Sequence, residues 1–363
     1  MELSHGQPAL RLADRLEGRD NNFNLIRMIA ASAVLVSHAF PITLGPGAVE
    51  PLVGLTGTTL GLHAVAVFFV ISGLLIARSL ERSPTFVHWL TARVLRLFPG
   101  LLVVLLLTML VLGPLVTSLP LAAYAADPAT WTYVPRNLSL AFLQYPLPGV
   151  FEGNPHGPAI NGSLWSLVHE VGCYAGVAIA GALGLLRRPR LFLGALTLLL
   201  AARIGMAQTG LVQSLPGLFV TLAFSFALGM AAWVWRERLV LHGALLAGLW
   251  ALALALWPTP VFAEALAVAL AYSTLWLAYV PRGALLAFNR LGDYSYGVYI
   301  YAFPMQQLMA HLFPGQSPLT NIALAAPPTL LCAVLSWRLV EKRALAWSRP
   351  LADRLTGRRA GTA

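Results

Sequence analysis

Long apolar runs, each close to twenty residues, recur along most of the chain. A helix of about 20 residues crosses the hydrocarbon core of a bilayer at about 1.5 Å per residue. The runs at 101–112 and 243–256 are continuous, whereas the strands of a membrane barrel alternate in hydrophobicity. The pattern predicts an all-α, polytopic membrane helical bundle of about ten transmembrane helices, placed roughly at 23–41, 60–80, 99–119, 163–185, 191–208, 215–235, 241–257, 261–280, 294–313 and 321–340.

The charged residues are few and unevenly placed. Only 10% of residues are charged and 58% are hydrophobic, whereas about 25% of a soluble domain is charged. With the N-terminus in the cytoplasm, all 24 basic residues except Arg136 and Arg203 fall on the cytoplasmic side. This sorting predicts that the N- and C-termini are both cytoplasmic. The net charge of +10 then reflects topology, and it gives no support for nucleic-acid binding.

These patterns divide the chain into three parts. Residues 1–20 carry charges and no apolar core, so they predict a cytoplasmic N-terminal segment and not a cleaved signal peptide. Residues 21–343 form the predicted membrane domain, and 344–363 a basic cytoplasmic tail. The longest predicted outer loop, 113–162, is rich in aromatic residues, which suit either stacking on a sugar or an interfacial belt. No Cys/His spacing indicates a metal site.

Ionisable residues inside predicted spans are costly, and each is therefore a functional candidate. His38 lies toward the outer half of the first span, and a histidine exchanges a proton near neutral pH. Glu170 lies roughly 10 Å inside the outer end of the fourth span, at a matching depth. A carboxylate at that depth could orient a catalytic imidazole. The alternatives are a histidine hydrogen-bonded to a neighbouring helix and a glutamate paired with an arginine.

Three further features have both a functional and a structural interpretation. Arg93 and Arg96 share one helix face, and guanidinium pairs suit phosphate groups, although cytoplasmic anchors also fit them. Ser72 and Gly73 in an apolar helix predict close packing or a kink. Asp293, just before a helical run, is expected to cap that helix.

Six segments in order and spacing resemble the membrane acyltransferase family 3, whose members O-acylate bacterial surface glycans. The resemblance runs from residue 21 to about 343 and therefore covers nearly the whole chain. It rests on 22–27 (NFNLIR) leading to Ser37-His38, 67–76 (VFFVISGLLI), 93–99 (RVLRLFP), 161–170 (NGSLWSLVHE), 291–300 (LGDYSYGVYI) with Phe303-Pro304, and 336–341 (SWRLVE).

The resemblance implies an O-acyltransferase that moves an acyl group, commonly acetyl from cytoplasmic acetyl-CoA, to a hydroxyl of an extracytoplasmic glycan. It implies a place in the bacterial cytoplasmic (inner) membrane and no metal. His38 would be catalytic, with Glu170 orienting it. Arg27, Arg93 and Arg96 would bind the CoA donor. Substrate or oxyanion contacts would come from Ser72, Asn161, Trp165, Ser166 and Tyr296.

Two other classes stay open at this point. A glycan or lipid transporter or flippase would move substrate without acyl chemistry, and the scarcity of buried charge argues against ion coupling. A membrane sensor or scaffold would need neither His38 nor Glu170 and would not bind CoA. The acceptor and the oligomeric state do not follow from the sequence.

Overall fold

The computed structural model describes residues 10–18 and 20–357 and confirms the all-α prediction. Within this part of the chain there is no β-strand, only an isolated bridge between Arg11 and Val240. Every predicted apolar run is helical. The main helices are α1 Phe23–Leu44, α2 Leu60–Arg82, α3 Phe86–Leu107, α4 Pro128–Ser139, α5 Trp165–Ala182, α6 Pro189–Gln208, α7 Leu215–Val234, α8 Gly243–Ala255, α9 Phe262–Tyr279, α10 Ser295–Leu312 and α11 Pro318–Ser336.

Eight helical stretches among the described residues are long and apolar enough to cross a membrane. Helix α3 continues through a π-helical turn to Val116, and α11 continues through another π-helical turn toward Leu355. Helix α8 has only 13 residues, and α10 is not among the eight. The protein is therefore a multi-pass membrane protein, while the orientation of its termini stays a prediction. Arg19, Arg358 and Arg359 of the predicted terminal segments lie outside the described residues.

The chain divides into two compact units. The first takes in the described part of Met1–Arg27 together with Ala66–Glu81 and Cys173–Leu291. Its helices α2 and α7 approach closely, because a Cβ on Gly73 would overlap the carbonyl oxygen of Phe226. This confirms the close packing predicted at Gly73.

The first unit also pairs its own charges. The Arg203 guanidinium lies 3.2 Å from the Glu264 carboxylate. The Trp233 indole donates to Glu81 at 2.8 Å. The side-chain amide of Asn22 donates to the carbonyls of Leu277 and Pro281. Arg203, Glu264 and Glu81 are thus engaged in contacts within this unit.

The second unit consists of Met28–Val65, Arg82–Gly172 and the described part of Gly292–Ala363. Helices α10 and α11 pack along most of their length, and a Cβ on Gly297 would overlap Ala333. Across this contact, the buried Gln306 side chain donates to the side-chain oxygen of Asn321, and the Asn321 amide donates to the backbone carbonyl of Gln306. These bonds set the register of α10, the helix that faces the candidate site.

The predicted outer loop 113–162 contains a helix that its aromatic composition did not indicate. Asp127 accepts from the backbone N–H of Ala129, and Pro128 occupies the first turn of α4. Asn137, fully buried, bonds both the carbonyl and the N–H of Gln144 and so folds the following chain back. The segment is therefore a structured part of the second unit.

The expected cap at Asp293 is wrong. Helix α10 begins at Ser295 with Tyr294 as its N-cap, and no side chain caps it. The Asp293 carboxylate instead pairs with the Arg96 guanidinium at 2.5 Å and accepts from the Ser295 hydroxyl. A charged partner distant in sequence has displaced the local backbone bond that the sequence suggested.

Candidate functional site

A cavity of about 250 Å³ lies beside His38 in the second unit. Its wall is formed by α1, by the connection between α1 and α2, by the first turns of α2, and by one residue each from α5 and α10. The lining combines apolar side chains with a few polar ones. The lining residues are Val34, Ser37, His38, Pro41, Pro46, Ala48, Glu50, Thr59, Gly61, Leu62, Val65, Trp165 and Tyr299.

The His38 side chain is half-buried and faces this cavity. Its ring meets Phe303 of α10 edge to face, with 5.1 Å between the ring centroids. Its Nδ1 atom is buried and has no hydrogen-bond partner among the described residues. An imidazole held by an aromatic contact, with a nitrogen unclaimed by the protein, can exchange a proton with a bound ligand.

Glu50 supplies a carboxyl group to the largely apolar lining of the cavity. Its carboxylate accepts from the Ser37 hydroxyl and from the backbone N–H of Leu60 at the start of α2. Glu50 is buried, and it is the only ionisable residue between His38 and His63. It therefore ties the residue preceding His38 to the start of α2 and places a carboxyl group on the cavity wall.

Glu170 is not among the residues that line the cavity. It lies close enough to Tyr296 and Tyr299 to interact electrostatically with both. Tyr299 does line the cavity, and its hydroxyl hydrogen-bonds Ser166 and donates to the Ser163 carbonyl. Glu170 therefore lies near a cavity-lining residue without lining the cavity itself.

The other predicted contacts of the second unit have mixed outcomes. Trp165 lines the cavity directly. Asn161 donates to the Ile300 carbonyl of α10 at 2.9 Å, and its side-chain oxygen accepts from the Ser163 N–H in the turn that precedes α5. Tyr296 donates to the Leu97 carbonyl at 2.7 Å, and Ser166 is bonded to Tyr299. These three residues have structural bonds, and their assignment as oxyanion donors stays a prediction.

Arg96 lies in a compact cluster of its own. Besides its ion pair with Asp293, its guanidinium lies 5.9 Å from the ring centroids of Tyr296 and Trp337. Glu341 is buried beside it and accepts from Ser336. Neighbouring Arg93, on the same helix α3, is half-buried. These contacts fit a structural role for Arg96 better than a role in binding phosphate.

Arg27 and Ser72 belong to the first unit. The roles predicted for them therefore stay predictions. Across residues 10–18 and 20–357, no group of three or more His, Cys, Asp and Glu side chains is placed to hold a metal ion.

Sequence reasoning missed three residues of the site: Glu50, Tyr299 and His156. The signal for Glu50 was its isolation as the sole acid of an otherwise uncharged stretch. Tyr299 did not stand out in the sequence, because several other tyrosines lie within 294–301. His156 lies in a loop, and its ring reaches Phe303 with 5.8 Å between centroids. Only the folded chain joins these residues to His38.

Comparisons with known proteins indicate an acyltransferase. A family model described as an acyltransferase domain matches residues 20–338. The O-acetyl transferase of Shigella phage Sf6 is 31% identical over 351 residues, covering 92% of this chain and 98% of that protein. Nodulation protein 10 of Rhizobium leguminosarum bv. viciae is 32% identical over 367 residues, covering 90% and 94%. No solved structure matches significantly.

Proposed function

Because the chain belongs to the membrane acyltransferase 3 family, we propose that it moves an acetyl group from acetyl-CoA to a hydroxyl of an extracytoplasmic glycan. The family assignment makes the protein an acyltransferase, and the similarity to an O-acetyl transferase makes oxygen the acceptor atom. Acetyl as the acyl group is supported by that relative's name. Acetyl-CoA as donor and a glycan as acceptor are our inference from the family.

The observation that carries the proposal is the His38 imidazole on the wall of a mostly apolar cavity, with an Nδ1 atom that has no partner among the described residues. His38 takes the proton from the acceptor hydroxyl, and the oxygen attacks the thioester carbonyl carbon. The C–O bond forms, the C–S bond breaks, and the CoA thiolate takes up the proton from His38. The products are an O-acetyl ester and free CoA, so atoms and charge balance.

We propose that the Glu50 carboxyl group supports this step. An ionised carboxylate on the same cavity wall would stabilise the imidazolium when His38 carries the proton. The bonds that hold Glu50 to Ser37 and Leu60 keep that charge in place without neutralising it. Glu170, which the resemblance implies as the residue that orients His38, would act less directly, through Tyr299.

The donor would bind beside α3, the helix that carries Arg93 and Arg96. Guanidinium groups bind phosphate oxygens with paired hydrogen bonds, as the CoA nucleotide requires. Arg96 already serves Asp293, so Arg93 is the better candidate for direct phosphate contact. The basic cytoplasmic face would draw acetyl-CoA from the cytoplasm, and the acceptor would lie across the inner membrane of a bacterium.

The test is acetyl transfer by the purified full chain in proteoliposomes. The liposomes receive radiolabelled acetyl-CoA on one side, with a panel of methyl glycosides and a lipid-linked glycan extract on the other. We expect label in an alkali-labile ester on a glycan, with one CoA released per ester. Movement of glycan without label would instead indicate a transporter and would contradict the proposal. Adding acetyl-CoA to each side in turn tests the direction of transfer.

A further inference from the structure

The loop that carries His156 is clamped to α10 by a single buried glutamine. Gln307 is fully buried, and its side-chain NH₂ donates to the carbonyls of His156 at 3.1 Å and Ala159 at 2.6 Å. The Asn154 amide donates to the side-chain and backbone oxygens of Gln307, at 2.8 and 2.9 Å. Four bonds to one residue fix the backbone on both sides of His156. The position of this histidine is therefore built into the fold.

The clamp presents the His156 ring to Phe303, the aromatic residue that also holds His38. The ring centroids of His156 and Phe303 lie 5.8 Å apart, and those of His38 and Phe303 lie 5.1 Å apart. The two imidazoles interact electrostatically. The Nδ1 atom of His156, like that of His38, is buried and without a hydrogen-bond partner among the described residues. Two nitrogens that the protein does not satisfy thus flank one phenyl ring.

His156 favours its neutral form. Burial lowers the pKa of His156 below its usual value of 6.5, so the uncharged ring persists into mildly acidic solution. A neutral imidazole has one N–H donor and one acceptor nitrogen. A sugar hydroxyl also donates and accepts, so it can satisfy such a nitrogen in either tautomer. An isolated buried polar atom is costly, which favours its pairing with a bound ligand.

The location of His156 favours the acceptor over the donor. The segment 113–162 follows the end of the continuous helix Phe86–Val116 that is remote from Arg93. From Arg93 to Val116 that helix advances about 35 Å at 1.5 Å per residue. A donor phosphate at Arg93 and a ligand that enters past the 113–162 segment would therefore approach from opposite ends of the continuous helix Phe86–Val116.

We propose that His156 is an acceptor-binding residue whose Nδ1 hydrogen-bonds the glycan that presents its hydroxyl to His38. The inference rests on the proposed acetyl transfer. His38 exchanges the proton, and His156 holds the sugar in register with it. Gln307 acts through His156 as a positioning residue.

The test compares His156→Asn, which keeps a polar atom near the Nδ1 position, with His156→Phe, which keeps ring shape without nitrogen. His311→Phe is the matched control, because His311 also contacts a phenylalanine ring, at 5.7 Å from Phe151, but is exposed. Acetyl transfer from acetyl-CoA is measured with the methyl glycoside that the wild type uses fastest. We expect His156→Phe to raise the acceptor KM about tenfold, the effect of one hydrogen bond. His156→Asn and His311→Phe should stay within about threefold of wild type.

Several results would overturn the inference. An unchanged acceptor KM in His156→Phe, an equal loss in His156→Asn, or a rise in the acetyl-CoA KM instead would each contradict it. A wild-type chain that acetylates no glycan would remove the proposed function itself, before any variant is needed. If His156→Phe fails to fold, carbethoxylation of wild-type His156 followed by mass spectrometry decides. The methyl glycoside should slow that modification, CoA should not, and equal rates with and without glycoside contradict the proposal.

Discussion

The cavity at His38 and the cluster around Arg96 lie in the same unit and use their polar atoms in opposite ways. Around Arg96, the guanidinium, the Asp293 carboxylate, and the Ser295 and Tyr296 hydroxyls all bond to the protein. Around His38, the Nδ1 atoms of His38 and His156 have no partner among the described residues. Polar groups that bond within the protein hold the fold together, whereas an imidazole nitrogen without a partner is available to a ligand. The contrast concerns the imidazoles, since Oε2 of Glu341 in the Arg96 cluster also has no partner among the described residues.

The comparison changes the weight of the predicted residues. His38 and Arg96 both stand out in the sequence because ionisable residues are scarce in this apolar chain. Their partners separate them: an ion pair with a buried carboxylate indicates a structural role, and an unpaired imidazole in a cavity indicates chemistry. Stability and activity should therefore respond to different substitutions.

The largest effect on activity is expected at His38. The substitution His38→Gln keeps a polar side chain but removes the proton acceptor, which should slow acetyl transfer by about 10²- to 10⁴-fold. The thermal midpoint of the purified protein should change little, because His38 Nδ1 makes no bond within the described chain. Initial rates at equal amounts of folded protein measure the first effect. Near wild-type transfer would place the chemistry elsewhere.

The largest effect on stability is expected at Arg96. The substitution Arg96→Met leaves the Asp293 carboxylate, whose side chain is 10% exposed, without its guanidinium. Breaking such a pair should cost about 3 kcal/mol, seen as a lower thermal midpoint in detergent. The double variant Arg96→Met with Asp293→Asn removes both charges and should regain part of the loss. If Arg96→Met has the same thermal midpoint as the wild type, the Arg96 cluster does not stabilise the fold.

A smaller effect is expected at Glu50. Glu50→Gln removes the negative charge and one of the two acceptors that serve Ser37 and Leu60. The rate of acetyl transfer should fall about tenfold, because the protonated His38 loses its stabilising charge. Asp127→Asn is the control, since Asp127 also accepts from a helix N–H but lies outside the cavity. Equal losses of rate in the two variants would argue for a general structural effect.

The smallest effect is expected at Tyr299. Tyr299→Phe removes a hydroxyl that bonds Ser166 and Ser163 on the cavity wall, so kcat should fall a few-fold, the effect of about 1 kcal/mol. Tyr124→Phe removes a hydroxyl that donates to Met109, away from the cavity. We expect Tyr124→Phe to lower stability about as much as Tyr299→Phe does and to leave kcat unchanged. A kcat that falls equally in both variants would dissociate Tyr299 from the site.

The helices could be predicted from the sequence because a lipid-exposed apolar run is a local signal. Each run from Phe23 to Ser336 became a helix, and Gly73 marked a close approach that the fold contains. Helix α4 was missed although Asp127 and Pro128 are ordinary start signals. The polar and aromatic residues around them concealed a short helix that does not span a membrane.

The site was predicted only where one residue carried the signal. His38 was found because a histidine in an apolar span is conspicuous. The assembly around it depends on contacts between distant residues, such as His156 with Gln307, 151 positions apart. Asp293 shows the same limit, since its partner Arg96 is 197 positions away. Local rules place a cap at such an aspartate, and only the packing of α3 against α10 shows otherwise.

Chemical blocking of the cavity tests the central claim most directly. Ala48 lines the cavity and is half-buried, so Ala48→Cys can be labelled with a bulky maleimide after Cys173 and Cys332 are replaced by alanine. Arg349→Cys, on an exposed part of the same unit, is the labelled control. Acetyl transfer is compared before and after labelling of each variant. We predict that labelling at position 48 abolishes transfer and that labelling at position 349 leaves it unchanged, whereas full transfer after complete labelling at position 48 would contradict a reaction in the His38 cavity.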